Sequence, residues 1–265
     1  MDGKQGKRFP IWESAKGKRG SGRAGRENRE ERDVRLSKAL TYVLRHGAAK
    51  MGFNMGSDGF VFVDELLTHG QFRSFSMEDI ERVVATDEKK RFKMKNHIEN
   101  GRPQIRANQG HTVQVEDLEL TAVVLGAPDC PQEAVHGSYM IHWSSIRSQG
   151  LSRMKRTHIH LVPCLPGEGQ VISGRYTWNS WMFIVETHCS GMRPKCELAV
   201  YINVPKAIAD GIKFFWSENR VLLTPGDADG VLPPRYFLRA QRLKPSLSVV
   251  SRCSAITVSK VSVNC

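Results

Sequence analysis

Apolar side chains recur at helical spacing from Val34, where Leu36, Ala39, Leu40, Val43 and Leu44 form one stripe and Gly47 offers a stop. A second short helix is predicted over Val63 to Leu67, after the Asp58-Gly59 turn. Ser76-Met77-Glu78-Asp79 has the form of a capping box, so a third helix should follow it, with Ile80, Val83 and Val84 on its core face. Arg91 to Lys95 and Gln104 to Ala107 flank the turn signal Asn100-Gly101 and suit a hairpin. Three helices and a hairpin describe a winged-helix-like lobe over residues 34–115.

Beyond Val113 the pattern changes to short β-rich segments, at Leu118 to Leu125, His158 to Val162, Leu198 to Val204 and Val221 to Thr224, with a helix around His142 to Ser148. A second, mostly β lobe is therefore predicted over residues 116–240, and the class is α+β. Residues 1–33 are rich in Gly, Lys and Arg without sustained apolar periodicity and are expected to be a disordered basic tail. Residues 241–265 are expected to form a C-terminal tail.

Composition narrows this picture. At 265 residues and 40% hydrophobic, the chain can bury real cores. No apolar run would span a bilayer, and the N-terminal segment is too polar for a secretory signal, so cytosolic or nuclear residence and a monomeric, membrane-free protein are expected. Six scattered cysteines without a C-x-x-C pair read as free thiols. The net charge of +12 is concentrated at the ends: residues 1–33 hold ten Lys/Arg against six Asp/Glu, and residues 239–265 hold five Lys/Arg and no acid. A specific anion site must therefore be argued from individual arginines.

Candidate chemistry is scattered. Arg45 and His46 sit in the last turn of the first helix, where the dipole alone favours cations. Ile105-Arg106-Ala107-Asn108-Gln109-Gly110-His111 packs an Arg, an amide pair, a Gly and a His into seven residues; convergence on phosphate oxygens and an ordinary polar turn both fit. His158 and His160 share one face of a strand, but no carboxylate or thiolate at a standard spacing completes a metal site, so cofactor contact or polar packing ranks above zinc. His136-Gly137-Ser138 puts an imidazole beside a Gly that a ligand could approach closely.

In order, these pieces resemble the RNA 2'-phosphotransferases that finish tRNA splicing. The resemblance rests on Leu36 to Leu40, Leu44-Arg45-His46, Asp58-Gly59-Phe60, Ile105 to His111, Val135 to Ser138, Arg156 to Leu161, Gly191-Met192-Arg193, Asp210-Gly211-Ile212, Ser217-Glu218-Asn219, Leu223-Thr224-Pro225 and Pro233 to Phe237. It implies an ADP-ribosyltransferase-like second lobe and a site between lobes. It also implies a reaction in which the RNA 2'-phosphate attacks the nicotinamide-bearing ribose carbon of NAD+. The ADP-ribosylated RNA then breaks down to RNA 2'-hydroxyl and ADP-ribose 1'',2''-cyclic phosphate. By resemblance Arg45, His46, Arg106 and Arg193 are catalytic. His136, Gly137, Ser138, Arg156, His158 and His160 contact NAD+, Arg106, Gln109 and His111 contact RNA, and no metal is needed. Where relatives run from Ser-Gly directly into Met-Arg, this chain carries Arg175 to Gly191 between Ser173-Gly174 and Met192-Arg193. The rival readings are an ADP-ribosyltransferase acting on terminal nucleic-acid phosphates or protein, a non-catalytic RNA-binding module, and a histidine-based metal hydrolase.

Overall fold

A computed structural model describes residues 24–163, 195–243 and 248–252. The first helix, α1, spans Ala24–Tyr42 and so begins ten residues before the expected Val34. Its early turns are rich in Glu and Arg, which are good helix formers, and the segment is tied down by ion pairs. Arg32 donates to Asp79 at 2.6 Å and to the Ser74 carbonyl at 2.5 Å, while Arg82 donates to both Asp33 oxygens at 3.0 and 2.6 Å. The tail expected over residues 1–33 therefore gives way to helix from Ala24. At its other end α1 widens into a π-helical turn over Val43–Gly47 and a 3-10 turn over Ala49–Met51. The left-handed stop falls at Gly52, with φ 78°, rather than at Gly47.

Helix α2 spans Val63–Thr68 and α3 spans Met77–Ala85. The capping box is present at Ser76, whose side chain accepts from the Asp79 amide while Asp79 accepts from the Ser76 amide. Asp79 also accepts from Arg82 and Arg32. Asp79→Ala removes every bond its carboxylate accepts, leaving only the backbone bond to Ser76, and is expected to cost about 1–2 kcal/mol in urea unfolding at pH 7; an unchanged midpoint would contradict this account of the helix start.

Strand β1, Val61–Phe62, joins the hairpin of β2, Phe92–Asn96, and β3, Pro103–Ala107, in a three-stranded antiparallel sheet of order β1-β3-β2. The turn closes with Gly101 at φ 67°. One core holds the predicted stripe of Leu36, Leu40, Val43 and Leu44 against Val63, Leu66, Phe72, Ile80 and Ile105. Because strand side chains alternate, Ile105 and Ala107 face this core and Arg106 points out of its other side.

The β-rich half comprises β4 Leu120–Ala122, β5 Glu133–Ser138, α4 Trp143–Gln149, β6 Leu151–Ser152, β7 Ile159–Leu161, β8 Leu198–Asn203, α5 Val204–Ala209, β9 Phe215–Ser217, β10 Leu222–Thr224, β11 Val231–Leu232, β12 Phe237–Arg242 and β13 Ser248–Arg252. Two four-stranded sheets, of order β4-β9-β10-β7 and β13-β12-β8-β5, carry most of it, and β6 pairs with β11. A separate core takes Ala134, Leu198, Val200 and Ile202 from one sheet and Ile159, Leu161, Trp216 and Leu222 from the other. A bridge between Val135 and Val162 joins the two sheets at β5 and β7. The boundary expected at residue 240 is overrun, since β12 continues to Arg242 and β13 pairs with it. The mixture of helix and antiparallel sheet is α+β, as the patterning predicted. Among the described residues no helix is long and apolar enough to cross a membrane.

Candidate active site

The widened turn after α1 places Arg45 and His46 where an ordinary helix would have wound them differently; π turns of this kind concentrate at functional sites. The turn is clamped by the segment after β3. Thr112 donates its amide to the Arg45 carbonyl at 2.9 Å and its hydroxyl to the same oxygen at 3.3 Å. Gly110, at φ 87°, lies against the Arg45 guanidinium, and a Cβ there would stand 3.2 Å from Nη1. A side chain at this position meets both a strained backbone angle and an occupied space.

Arg45 Nε and Nη2 are buried without a hydrogen-bond partner. Its pKa is lowered to about 10, chiefly by burial and then by the charges of Arg156 and Arg91, against a smaller opposing effect of Asp87. Asp87 is itself paired with Arg91 at 2.6 Å. Arg45 therefore remains cationic at neutral pH with two donors unanswered, an arrangement that costs free energy until an anion supplies the acceptors.

Three histidines, His46, His111 and His160, feel its charge, and His158 stands beside the last two. His46 Nδ1 lies 3.0 Å from the Thr112 hydroxyl. Because that hydroxyl gives its proton to the Arg45 carbonyl, His46 Nδ1 is the donor, and Nε2 is the nitrogen able to take or give a proton. Burial, then Arg45 and Arg156, hold the His46 pKa below its ordinary value. His111 is buried with both nitrogens unpartnered, and its pKa falls to about 4 through burial and the charges of Arg45, Arg106, His158 and His46. His160 falls to about 3 through burial, Arg156 and Arg45. Its Nδ1 faces Arg156 Nη1 at 3.5 Å and its Nε2 is unpartnered. His158 is also lowered, mainly by burial, and its Nδ1 meets the Thr157 hydroxyl at 2.9 Å. The two halves meet here directly, as Thr157 donates its amide to the His111 carbonyl at 3.1 Å.

On β5, His136 donates Nδ1–H to the His160 carbonyl at 2.9 Å, and burial lowers its pKa. Gly137 and Ser138 follow in the same strand, opposite Ala199 and Leu198. Gln109 is buried in the turn that leads to Gly110. Arg193 and the insert from Arg175 lie outside the described residues.

Arg106 has a different setting. It is 1% exposed and donates to Glu119 at 2.7 Å, to Glu218 at 3.2 Å and to the Asp58 carbonyl at 3.3 Å, with its guanidinium over the Phe60 ring. Lys93, its cross-strand neighbour, reaches the same two carboxylates at 2.8 and 2.9 Å. Asn219 adds a bond from its side chain to the Lys89 carbonyl at 3.0 Å. The Ser217-Glu218-Asn219 motif thus helps to fasten the β-rich half to the hairpin half, a role that the sequence pattern did not indicate. Thr112 and Thr157, each next to a histidine already singled out, were missed in the same way.

Among the described residues no group of three or more His, Cys, Asp or Glu could hold a metal ion. The arrangement is a cationic recess lined by imidazoles whose pKa values are held low. Comparison with known proteins fits this geometry. Residues 31–226 match the profile of the RNA 2'-phosphotransferase, Tpt1 / KptA family. The chain is 66% identical over 230 residues to tRNA 2'-phosphotransferase 1 of Danio rerio, covering 87% of this chain and 93% of that one. It is 48% identical over 240 residues to tRNA 2'-phosphotransferase 1 of Homo sapiens, covering 90% and 87%. With tRNA 2'-phosphotransferase of Saccharomyces cerevisiae it shares 36% identity over 159 residues, covering 57% and 68%. On this extent of match, reaching across both halves and every described residue of the recess, the chain belongs to the RNA 2'-phosphotransferase family.

Proposed function

We propose that this chain removes a 2'-phosphate from RNA, with tRNA as the substrate and NAD+ as co-substrate, and that the phosphate enters the recess at Arg45. The observation that carries this reading is the pair of buried, unpartnered donors on Arg45, with no carboxylate assigned to them. The relatives' names support the reaction class, since each is called a tRNA 2'-phosphotransferase. We read the hairpin half as the winged-helix-like lobe and the β-rich half as the ADP-ribosyltransferase-like lobe.

NAD+ supplies an electrophilic ribose carbon to the RNA phosphate, with nicotinamide as leaving group and ADP-ribosylated RNA as the product of that first stage. The residues present fit such a guest. His160 Nε2 is a buried donor without an acceptor, and Arg156, His158 and His136 stand around it, so these residues, with Gly137 and Ser138 on β5, would hold the dinucleotide. The nucleophile is already an anion, so the protein's task is to orient two negatively charged reactants. Arg45 supplies a fixed donor fork for phosphate oxygens, and Gly110 keeps that fork in place. Arg106, whose charge also acts on His111, keeps Nε buried without a partner, while Glu119 and Glu218, 58% and 41% exposed, hold its Nη2 until they swing away. Arg193, next to the insert, completes the proposed set.

His46 acts through Nε2. An arriving phosphate raises its pKa, because the anion offsets the two arginines that hold it low, and the protonated ring then delivers a proton to the departing RNA oxygen.

The test is to incubate the protein with RNA bearing one internal 2'-phosphate, with and without NAD+, and to follow RNA and nucleotide products. NAD+-dependent loss of the phosphate with nicotinamide release is expected. RNA binding without turnover, or a stable ADP-ribosylated RNA as end product, would contradict the reading. His46→Asn is expected to slow overall turnover ~10²–10⁴-fold and to accumulate the ADP-ribosylated RNA; turnover lost without that accumulation would remove His46 from the second stage.

A further inference from the structure

His46 borders a second space. A groove of about 470 Å³ runs along α1 toward the start of β2, lined by Val34, Ser37, Lys38, Thr41, Tyr42, His46 and Arg91. This volume lies within the range of small-ligand sites and has room for a nucleotide. Its helical residues share one face because they repeat at three- and four-residue spacing, opposite the buried stripe of Leu36, Leu40 and Leu44. The lining offers cations, hydroxyls, one aromatic ring and the apolar Val34, and no acid, although Arg91 is paired with Asp87 outside it. Lys38 has no ion pair among the described residues. Tyr42 is 45% exposed, large for an aromatic side chain on a helix. Its ring is seated against Gly47, where a Cβ would come within 2.6 Å of Cε1, and its centroid stands 6.3 Å from that of His46. An aromatic ring held in place with much of its surface open is a stacking platform, and cations beside it suit a phosphodiester.

Chemistry connects this groove to the recess. A 2'-phosphate shares its ribose with the 3'-phosphodiester, so the next nucleotide must leave the site within one backbone step of the phosphate that Arg45 and His46 hold. We propose that the α1 groove seats the nucleotide immediately 3' to the 2'-phosphate, its base stacked on Tyr42 and its phosphodiester between Lys38 and Arg91. This rests on the phosphate reading of the Arg45 recess. An acidic protein segment would satisfy the cations but not the ring.

The test uses the full chain without NAD+ and fluorescence anisotropy. The probes are a short RNA with one internal 2'-phosphate, the same RNA with an abasic 3' neighbour, and the same RNA with a 2'-hydroxyl. Tyr42→Ala is expected to weaken binding of the first RNA about tenfold or more, and Tyr42→Trp to restore it. On the abasic RNA, native and Tyr42→Ala proteins should bind alike. Lys38→Gln should weaken all three and lower the salt slope by about one. Equal losses on intact and abasic RNA, or no loss with Tyr42→Ala, would overturn the groove, as would native protein that binds no RNA but binds an acidic peptide there. Binding indifferent to the 2'-phosphate but sensitive to Tyr42 and to the 3' base would keep the groove and remove the phosphate reading.

Discussion

Arg45→Met is expected to lower turnover of 2'-phosphorylated RNA by about 10²–10³-fold while leaving the protein as stable as the native chain or more so. Both halves follow from one observation. Arg45 has two buried donors that nothing in the protein accepts from, and its charge is opposed by Arg156 and Arg91. A methionine of similar length keeps the packing against Gly110 and removes a desolvated, unanswered charge, which relieves the free protein. The same change deletes the fork proposed to hold the phosphate. Thermal unfolding in parallel with product assays separates the two effects. A marked drop in stability would mean that Arg45 holds the fold together, and unimpaired turnover would mean that the phosphate sits elsewhere.

Acidification should unfold the free protein earlier than its carboxylates require. In the folded chain His111 and His160 stay neutral down to about 4 and about 3, whereas in the unfolded chain they protonate near 6.5. The unfolded state therefore binds more protons between these values, and stability falls as pH falls through 6.5. From pH 7 to pH 5 each of these two rings costs about 2 kcal/mol. His46, His136 and His158 are lowered too and act in the same direction. Asp58, Asp79 and Glu119 are held below their ordinary values, so their contributions are lost as pH falls from the ordinary carboxylate value toward the lower folded one, below the interval from pH 7 to pH 5. An anion in the recess offsets the arginines and lets the rings protonate, so inorganic phosphate should flatten the loss. Denaturant unfolding at pH 7 and pH 5 decides it; stability level across that interval would show that the rings are not buried beside arginines.

Local features were legible in the sequence because their causes are local. The Ser76 capping box, the turn at Gly101 and the stripe of Leu36, Leu40 and Leu44 follow from spacing and side-chain chemistry within a few residues. The start of α1 was not legible, because Arg32 and Asp33 are ordered by Asp79 and Arg82, more than forty residues away. Short β9 and β5 hide for the same reason, as their pairing with β4 and β8 joins segments far apart in the chain. In the site, spacing marked Arg45, His46, His111 and His160 as polar residues of interest, and family resemblance supplied their roles. Only the structure shows which of them lack partners. Arg106 makes the point most sharply, since its sequence setting suits a free phosphate ligand while its side chain is occupied by Glu119 and Glu218, the latter 112 residues distant.

The central claim is that the Arg45 recess is the seat of the 2'-phosphate. It is tested most directly by comparing the affinity of one RNA with and without its single 2'-phosphate, for the native chain and for Arg45→Met. The native chain should prefer the phosphorylated RNA by about tenfold or more, as charge-assisted hydrogen bonds to a phosphate allow, and Arg45→Met should bind the two alike. A native chain with no preference, or a preference that survives the substitution, would contradict it.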